Sequence, residues 1–276
     1  MRIDDALRSA ARAGVDRLDA QLMLGHLLGQ PRAWLLAHDD EPLTADQASN
    51  WQALLDRRSA GEPLAYVLGE WTFCGLSLQV SPAVLVPRPE TEGLVEWALA
   101  CLQTAPSHQV LDLGTGSGAI ALAIASMHPR AQVHATDTHE GALAIARSNA
   151  VRLGLSIQFS QGDWWGAVAA GQRFGLVVSN PPYIAPGDTH LAALTHEPLL
   201  ALTAPAQGME ALRTIIAGAP PHLLPGAWLL LEHGHDQAEA VQDLLVERGF
   251  VQAQTRTDLA GLPRCTGACW PAAHQP

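Results

Sequence analysis

The chain has 276 residues and a formal charge of −11, from 27 acidic residues against 16 arginines and no lysine. At 48% hydrophobic and 16% charged, it is too apolar to be disordered and long enough for one large domain or two ordinary ones. The absence of lysine excludes a pyridoxal-phosphate enzyme and a P-loop nucleotide-binding protein, since both depend on one. The acidic balance argues against broad, sequence-independent binding of nucleic acid.

The N-terminal sequence, Met-Arg-Ile-Asp-Asp-Ala-Leu-Arg, lacks the apolar core of a signal peptide, and no apolar run approaches the roughly 18 residues of a membrane span. We therefore expect a cytoplasmic protein that does not bind membranes and whose four cysteines are reduced. Cys265 and Cys269 could form half of a metal site, but no second pair accompanies them, so no metal is expected.

Residues 1–70 carry helical patterns only. Leucines recur at helical spacing over residues 18–28 and stop at Gly29. Thr44 and Gln47 form a capping box, in which the threonine side chain caps the helix N-terminus and the glutamine side chain bonds back to the threonine backbone. The pattern predicts four short helices in a small bundle, with no catalytic group among them.

Between residues 61 and 89 the pattern changes to short alternating runs separated by glycine and proline. Residues 76–80 alternate apolar and polar side chains, as in a strand with one buried face. Turn residues on both sides of this run are typical of a β-hairpin. We assign residues 71–90 to a β connector between the helical domain and a larger C-terminal domain, residues 91–276.

From residue 91 onward, predicted strands and helices alternate. The predicted helices cover residues 119–127, 142–153 and 238–247. The predicted strands cover residues 110–113, 133–136, 157–160, 176–179, 228–231 and 251–255. Such alternation predicts an α/β fold with a mostly parallel sheet, helices on both of its faces, and ligands at the carboxyl ends of its strands.

A glycine-rich loop follows the first strand of this domain, with the sequence Asp112-Leu113-Gly114-Thr115-Gly116-Ser117-Gly118. Glycines let the backbone approach a ligand closely before a helix begins. The segment also fits a loose dinucleotide-binding fingerprint, and a plain tight turn is the alternative. Because a strand precedes the loop and a helix follows it, we interpret Gly114 to Gly118 as a cofactor-binding loop.

Acidic residues follow the next two strands. Asp137 ends the second strand, where a carboxylate can accept hydrogen bonds from both hydroxyls of a ribose, although it could instead cap the following helix. Both NAD and S-adenosylmethionine carry a ribose, so Asp137 indicates a nucleoside cofactor without choosing one. Asp163 and Trp164 follow the third strand and suit the amine edge and flat face of adenine. An ordinary turn with a core tryptophan is the alternative.

The segment Ser179-Asn180-Pro181-Pro182-Tyr183 follows a valine-rich strand. Proline has no N–H, so the two prolines fix the backbone and leave carbonyls as acceptors. The Asn180 side chain offers another acceptor, and Tyr183 offers a ring to lie against a planar group. Several acceptors directed at one point suit a planar NH2 group, whose remaining electron density they direct toward an electrophile. A proline-rich turn without function is the alternative, and a dehydrogenase has no use for this arrangement.

These motifs together resemble the class I S-adenosylmethionine-dependent methyltransferases that methylate planar amino groups, namely the adenine-N6 DNA enzymes and the glutamine-N5 protein enzymes. Two connector segments, Gly61-Glu62-Pro63-Leu64-Ala65-Tyr66-Val67-Leu68-Gly69 and Val84-Leu85-Val86-Pro87-Arg88-Pro89-Glu90-Thr91-Glu92, resemble the PrmC/HemK family. That family methylates the glutamine of the Gly-Gly-Gln loop in peptide chain release factors. The resemblance covers nearly the whole chain and departs at Leu262-Pro263, which leaves the last strand undecided.

The resemblance implies a Rossmann-like class I methyltransferase domain, a helical domain that helps to recognise the protein substrate, and S-adenosylmethionine as cofactor, which leaves as S-adenosylhomocysteine. The cofactor-binding residues it implies are Gly114, Thr115, Gly116, Ser117, Gly118, Asp137, Asp163, Trp164 and Asn180. The catalytic residues it implies are Asn180, Pro181, Pro182 and Tyr183. Asn180 and the Pro181 carbonyl would hold the two amide hydrogens of the substrate glutamine. It further implies release factors as partners, no direct contact with nucleic acid, and a monomer.

Other functions fit the sequence less well. The sister enzyme that methylates a ribosomal large-subunit protein shares Asn-Pro-Pro-Tyr but typically departs from the Pro-Arg-Pro-Glu-Thr-Glu connector, which is complete here at residues 87–92. That connector either closes beside the methyl site or serves as a hinge. An adenine-N6 DNA methyltransferase should carry a basic target-recognition region, and none is seen. An NAD-dependent oxidoreductase leaves Asn180 unexplained, and a non-catalytic adaptor would bind without turnover. We expect His233 and His235 to be structural rather than bases.

Overall fold

The computed structural model describes residues 1–271 and separates into two units, Met1–Trp71 and the chain from Thr72 onward. The first unit is helical. Its helices are α1 (Ile3–Arg12), α2 (Arg17–Leu28), α3 (Arg32–Ala37), α4 (Ala45–Ser59) and α5 (Leu64–Leu68). Their apolar faces enclose a core around the fully buried Trp51, whose indole N–H donates to the Ser9 hydroxyl over 3.1 Å.

The helix ends in this unit follow the predicted signals. Helix α2 ends at Gly29, which adopts the left-handed conformation that glycine favours. Helix α4 begins with the predicted capping box: the Gln47 backbone N–H donates to the Thr44 hydroxyl over 3.2 Å, and the Thr44 N–H donates to the Gln47 side chain over 2.9 Å. These bonds give acceptors to two backbone N–H groups that the helix itself cannot pair.

The prediction of four helices is wrong, because residues 64–68 form a fifth helix in the stretch from residue 61 where the sequence changes to short runs between glycine and proline. Pro63 stands at the N-cap of this helix, a position that tolerates its missing N–H. Arg57 supports the segment: its guanidinium bonds both carboxylate oxygens of Glu62 and the Tyr66 carbonyl. Glycine and proline in this stretch therefore mark helix ends rather than strand ends.

A β-hairpin follows the five helices in the chain. Its strands, β1 (Glu70–Phe73) and β2 (Leu76–Gln79), form a two-stranded sheet. The turn residues Cys74 and Gly75 both have positive φ, 47° and 75°. This is the backbone of a type I′ turn, whose twist matches that of the flanking strands.

The second unit contains a seven-stranded sheet. Its strands are β3 (Gln109–Leu113), β4 (Gln132–Asp137), β5 (Gln158–Gln161), β6 (Phe174–Ser179), β7 (Leu223–Glu232), β8 (Val251–Thr257) and β9 (Pro263–Cys269). They lie in the order β5-β4-β3-β6-β7-β9-β8, in which the first five run parallel and β9 is antiparallel to both of its neighbours. The predicted α/β fold with a mostly parallel sheet is confirmed.

Helices cover both faces of this sheet. Those that contribute to its two buried clusters are α6 (Glu92–Leu102), α7 (Ala119–Met127), α8 (Glu140–Leu153), α10 (Glu210–Gly218) and α11 (Ala238–Glu247). A short helix, α9 (Leu199–Leu202), lies between β6 and α10 in the chain. Strand β3 shows how the two cores arise, since successive side chains of a strand point to opposite faces. Val110 packs in one buried cluster with Leu94 and Ile120, whereas Leu111 packs in the other with Leu212 and Val241.

The C-terminal strand resolves the point at which the sequence departs from the family pattern. Residues 263–269 form β9, which inserts between β7 and β8. Asp258 supports the turn before it by accepting the Leu262 backbone N–H over 3.0 Å, and Arg264 bonds the same carboxylate. Cys265 and Cys269 are four strand residues apart, about 13 Å at the usual rise, which is too far to share one ion. Within residues 1–271, no three metal-ligating side chains form a cluster and no helix is both long and apolar enough for a membrane span.

Asn149 ties three parts of the second unit together. It is fully buried on α8, and its amide nitrogen donates to the carbonyls of Gln79 in the hairpin, over 3.0 Å, and Ser117 in the glycine-rich loop, over 2.9 Å. Its side-chain oxygen accepts the Gln79 backbone N–H over 2.6 Å. The loop that follows β3 is thus held from behind by one side chain.

We therefore expect Asn149→Ala to destabilise the second unit by about 2–3 kcal/mol, because it leaves buried backbone groups unpaired. That loss corresponds to a drop of roughly 4–12 °C in Tm, measured by thermal unfolding. The control is Ser148→Ala, which removes an exposed bond to the Gln79 side chain and should change Tm little. Equal effects of the two variants would contradict this role of Asn149.

Candidate active site

The predicted motifs meet where the strand order reverses. Strand β3 lies between β4 and β6, and the register places Leu113 beside Ser179 and beside Thr136. The Ser179 hydroxyl donates to the Leu113 carbonyl over 2.7 Å and fixes the two strand ends together. The carboxyl ends of parallel strands at such a switch point form a crevice for ligands. Gly114 and Asn180, which follow Leu113 and Ser179, therefore lie side by side.

The glycine-rich loop turns sharply after β3. The backbone N–H groups of Gly114 and Thr115 both donate to the Thr136 carbonyl, over 2.9 and 2.8 Å. Gly118 then starts α7 with a φ of 85°, and a Cβ atom there would lie 2.9 Å from a Leu122 methyl group and 3.2 Å from the Ala146 Cβ. Only glycine satisfies both the backbone conformation and this close approach of α7 to α8.

Asp112, at the base of this loop, was not predicted as a site residue. Its carboxylate is fully buried and accepts the Thr115 hydroxyl over 2.6 Å. Burial raises the pKa of Asp112 to about 7, and the charge of Asp137 adds to that effect, whereas the Thr115 hydroxyl opposes it. Asp112 therefore holds the loop from beneath and exchanges a proton near neutrality.

Asp137 stands opposite the loop at the end of β4. One carboxylate oxygen accepts the Gly116 backbone N–H over 2.9 Å, and the other accepts the His139 N–H over 2.9 Å. A carboxylate oxygen has two lone pairs, so each still has one for a ligand. The N-cap of α8 is His139, whose ring accepts the Ala142 N–H, so Asp137 is not the cap of that helix.

A cavity of about 280 Å³ opens at these strand ends. The predicted residues that line it are Gly114, Thr115, Gly116, Ser117, Asp137, Asp163, Trp164, Asn180 and Pro182. Gly118 is outside this lining and acts as the start of α7. The two tryptophans after β5 have separate roles: Trp164 lines the cavity with a left-handed φ of 43°, whereas Trp165 bonds the Ile215 carbonyl and stacks on His222.

A second cavity of about 330 Å³ adjoins the first. Its lining includes Tyr183, Glu232, Glu90 and Arg264. Four residues line both cavities, namely Leu85, Arg88, Asn180 and Ala201. The predicted catalytic segment therefore spans the border, with Pro182 on the first cavity, Tyr183 on the second and Asn180 on both, while Pro181 is buried.

The orientation of the Asn180 side chain is determined by Thr91. The Asn180 amide nitrogen donates to the buried Thr91 hydroxyl over 3.2 Å, which leaves the side-chain oxygen as the polar atom available at the border of the cavities. Tyr183 donates to Glu232 over 3.4 Å, and burial raises the pKa of the tyrosine hydroxyl above its ordinary value. Sequence reasoning did not assign Thr91 or Glu232, because their contacts join residues that are far apart in the chain.

Residues of the connector segment 87–92 line both cavities. Arg88 forms an ion pair with Glu197, a buried residue in the loop before α9, and the other oxygen of that carboxylate accepts the Val86 backbone N–H over 3.1 Å. The sequence left open whether this segment closes beside the site or acts as a hinge. Its side chains Arg88 and Thr91 line the first cavity, so it forms part of the wall.

The two histidines after β7 lie in different surroundings. His233 is buried, with one ring nitrogen 2.7 Å from the Thr266 hydroxyl and the other 2.8 Å from the Gly234 carbonyl. Burial lowers its pKa, so it stays neutral and structural. His235 is exposed.

The raised pKa of Asp112 should make the stability of the protein depend on pH. In the folded state the pKa of Asp112 is about 7, which is above the ordinary value of 3.8. At a pH between these two values, the folded state keeps a proton on Asp112 that the unfolded state has lost. The contribution of Asp112 to the free energy of unfolding is fully present below about pH 4 and is lost as the pH rises through 7. Between pH 5 and 8 we expect wild type to lose about 2–3 kcal/mol more unfolding free energy than Asp112→Asn. Chemical denaturation at each pH measures the unfolding free energy of both proteins.

The control for this prediction is Asp243→Asn, which removes the same charge from an exposed position on α11. It should leave the dependence of stability on pH as in wild type. An Asp112→Asn variant with the wild-type dependence would contradict the buried, proton-binding state of Asp112.

Comparison with known proteins identifies two matching family models. Residues 3–69 match the PrmC N-terminal domain, and residues 95–201 match the methyltransferase small domain. Among solved structures, a methyltransferase from Pyrococcus furiosus aligns with a TM-score of 0.54 at 19% identity, covering 81% of this chain and 99% of that one. At that identity the likeness supports the fold alone.

Whole-length relatives are much closer in sequence. The release factor glutamine methyltransferase of Bordetella pertussis (strain Tohama I) is 49% identical over 259 residues, which cover 93% of this chain and 96% of the relative. The protein of the same name from Xylella fastidiosa (strain Temecula1) is 50% identical over 268 residues, which cover 96% and 97%. The predicted family is confirmed: the chain belongs to the release factor glutamine methyltransferases.

Proposed function

We propose that this chain transfers the methyl group of S-adenosylmethionine to the side-chain nitrogen of the glutamine in the Gly-Gly-Gln loop of peptide chain release factors. One observation carries the proposal. Asn180 lines both cavities, and its bond to Thr91 leaves the side-chain oxygen available at their border. An acceptor in that place can hold an amide N–H of a substrate in the second cavity while the nitrogen faces the first.

The first cavity has the donor and acceptor set of a nucleoside site. Asp137 keeps a lone pair on each oxygen for a ribose, Trp164 offers a flat face for adenine, and Asp163 suits the adenine amine. The glycine-rich loop allows close approach to the backbone. S-adenosylmethionine, when bound, supplies a methyl group on a positively charged sulfur. We assign the first cavity to this cofactor.

The second cavity is assigned to the glutamine side chain. An amide nitrogen is a poor nucleophile because its lone pair is delocalised into the carbonyl, and side chains cannot deprotonate it near neutral pH. Holding the two amide hydrogens on the Asn180 oxygen and the Pro181 carbonyl, with Tyr183 against the amide plane, directs the nitrogen toward the first cavity. Such positioning can contribute about 7–11 kcal/mol to lowering the barrier.

The helical unit is proposed to recognise the release factor. Every residue that lines the two cavities lies beyond residue 81, so residues 1–70 supply none of this lining. A unit with its own core and no share in the cavities suits the docking of a protein substrate. We propose that the enzyme contacts the release factor directly, without nucleic acid, and acts as a monomer.

The test is to incubate the protein with isotope-labelled S-adenosylmethionine and a release factor, and to locate the methyl group by mass spectrometry. We expect one methyl group on the Gly-Gly-Gln glutamine and none on a release factor with that glutamine changed to alanine. Label on a ribosomal protein instead, or no label on any glutamine, would overturn the proposed function.

Asn180→Ala should lower the rate of this reaction by about a hundred- to a thousandfold, because one preorganised acceptor is lost. The affinity for S-adenosylhomocysteine, measured by calorimetry, should change only a few-fold, since most cofactor contacts are elsewhere. Gln158→Ala, an exposed change on β5, is the control and should keep the wild-type rate. An undiminished rate in Asn180→Ala would make the Asn-Pro-Pro-Tyr segment a structural turn only.

Asp137→Ala should weaken the binding of S-adenosylhomocysteine by about 1.5–3 kcal/mol, the usual contribution of hydrogen bonds to a charged group. Because Asp137 also bonds the Gly116 backbone, Asp137→Asn is the informative companion: it keeps the shape of the side chain and removes the charge. Calorimetry measures both variants, with Asp243→Ala as the control. Unchanged affinity in Asp137→Ala would exclude Asp137 from the ribose site.

A further inference from the structure

Glu232 is a buried carboxylate that stands in the wall of the second cavity. Glu232 is the last residue of β7, and the register pairs its neighbour Leu231 with Ser179, the last residue of β6. Glu232 and Asn180 therefore come one residue after a matched pair on adjacent strands. The exposed fraction of Glu232 is 1%, yet it lines the second cavity together with Asn180 and Tyr183. It is therefore deep in the proposed substrate site and next to the residue proposed to hold the amide.

One oxygen of this carboxylate has no hydrogen-bond partner within the described part of the chain. Oε1 accepts the Tyr183 hydroxyl over a long 3.4 Å, whereas Oε2 is buried and unpartnered. A buried oxygen without a partner carries a desolvation penalty, which is larger when the group is charged. In a cavity wall, such an atom indicates a contact that a ligand completes.

Burial, together with the surrounding polar and charged groups, sets the protonation state of Glu232. Burial raises its pKa to about 7, and Glu90 adds to this effect, while the Thr91 hydroxyl and Arg264 oppose it. Three more titratable or charged groups lie in its surroundings: Tyr183, the Cys265 thiol paired with Glu232 on β9, and Arg88, which lines the same cavity. A carboxyl group with a pKa near the working pH is suited to exchange a proton during a reaction.

We propose that Glu232 contacts the amide of the substrate glutamine through Oε2 and receives the proton that methylation releases. This inference rests on the proposed function. Deprotonation before transfer is too costly for a carboxylate, so the proton moves with the methyl transfer or after it. The ionised carboxylate also stabilises the positive charge that develops on the nitrogen as it becomes bonded to four groups.

Methyl transfer forms one bond and breaks another. A bond forms between the amide nitrogen and the methyl carbon, while the bond between that carbon and the sulfonium sulfur breaks and its electron pair stays on the sulfur, which becomes a neutral thioether. The nitrogen gives up one of the two hydrogens that Asn180 and Pro181 hold. This hydrogen leaves its acceptor as a proton and passes, directly or through one water, to the Glu232 carboxylate. The products are N5-methylglutamine, the thioether and a carboxylic acid, which later returns the proton to solvent.

The experiment compares the full-length wild type with Glu232→Gln, which is nearly the same shape and cannot accept the proton. For wild type we expect kcat to rise with pH through about 7, as Glu232 ionises. For Glu232→Gln we expect that rise to disappear and kcat at pH 8 to fall about a hundredfold, the usual scale for a lost general base. Asp112 also titrates near 7, so Asp112→Asn is run in parallel and should keep the rise.

Two further readouts separate this role from a structural one. The affinity for S-adenosylhomocysteine should change less than twofold in Glu232→Gln, and the unfolding free energy of that variant should fall less between pH 5 and 8 than that of wild type, because the buried titrating group is gone. Glu239→Gln, an exposed neutralisation on α11, is the control and should match wild type. Glu232→Asp, which restores a carboxylate, should regain the rise with pH.

The outcomes are distinguishable. If wild type places no methyl group on glutamine, the proposed function fails. If wild type methylates glutamine but kcat is flat or falls with pH through 7, or if Glu232→Gln keeps the wild-type rate and profile, Glu232 is not the proton acceptor and only this inference is overturned. Should Glu232→Gln not fold, the wild-type profile and Glu232→Asp decide the question.

Discussion

The site depends on one constraint, the parallel pairing of β3 with β6 at their carboxyl ends. The Ser179 hydroxyl bonds the Leu113 carbonyl over 2.7 Å, and this contact places the glycine-rich loop and Asn180 next to each other although they are more than 60 residues apart in the chain. Parallel strands start their crossover connections at the same edge, so each strand contributes one functional loop there. A shift of this register by one residue would turn every side chain of β6 to the opposite face and separate the two cavities.

Buried polar groups then refine this arrangement. Asp112 holds the loop from beneath, Asn149 holds it from behind, and Thr91 orients the Asn180 amide, each within hydrogen-bond distance of its partner. Side chains held in this way need little rearrangement when ligands bind, which is what electrostatic preorganisation requires. Two of the buried carboxyl groups, Asp112 and Glu232, have raised pKa values because burial disfavours their charge. Near neutral pH, ionisation of these two buried groups therefore lowers the free energy of unfolding of the second unit.

The sequence predicted the features that depend on neighbouring residues in the chain. The strands and the loops that directly follow them were predictable, because apolar runs and glycine or proline signals are local; helix 119–127 was predicted with its observed bounds. Helix α5 was missed because its five residues lie among turn signals, and β9 was left undecided because Leu262-Pro263 at its start departs from the family pattern. The roles of Glu232 and Glu197 could not be predicted, since they depend on which strands are adjacent and on a contact between residues 109 positions apart.

The ion pair between Arg88 and Glu197 joins the connector to the loop before α9 beside both cavities. Arg88 keeps 32% of its side-chain surface exposed and Glu197 keeps 2%, so separating them strands a buried carboxylate, which is costly. The connector and the loop before α9 are therefore held as one wall, and Arg88 belongs to the lining of both cavities. A ligand that tightens this wall from one side favours binding on the other, and linkage requires the effect to be reciprocal. With the cavities assigned as proposed, cofactor and glutamine should each raise the affinity for the other, although neither needs to touch the ion pair directly.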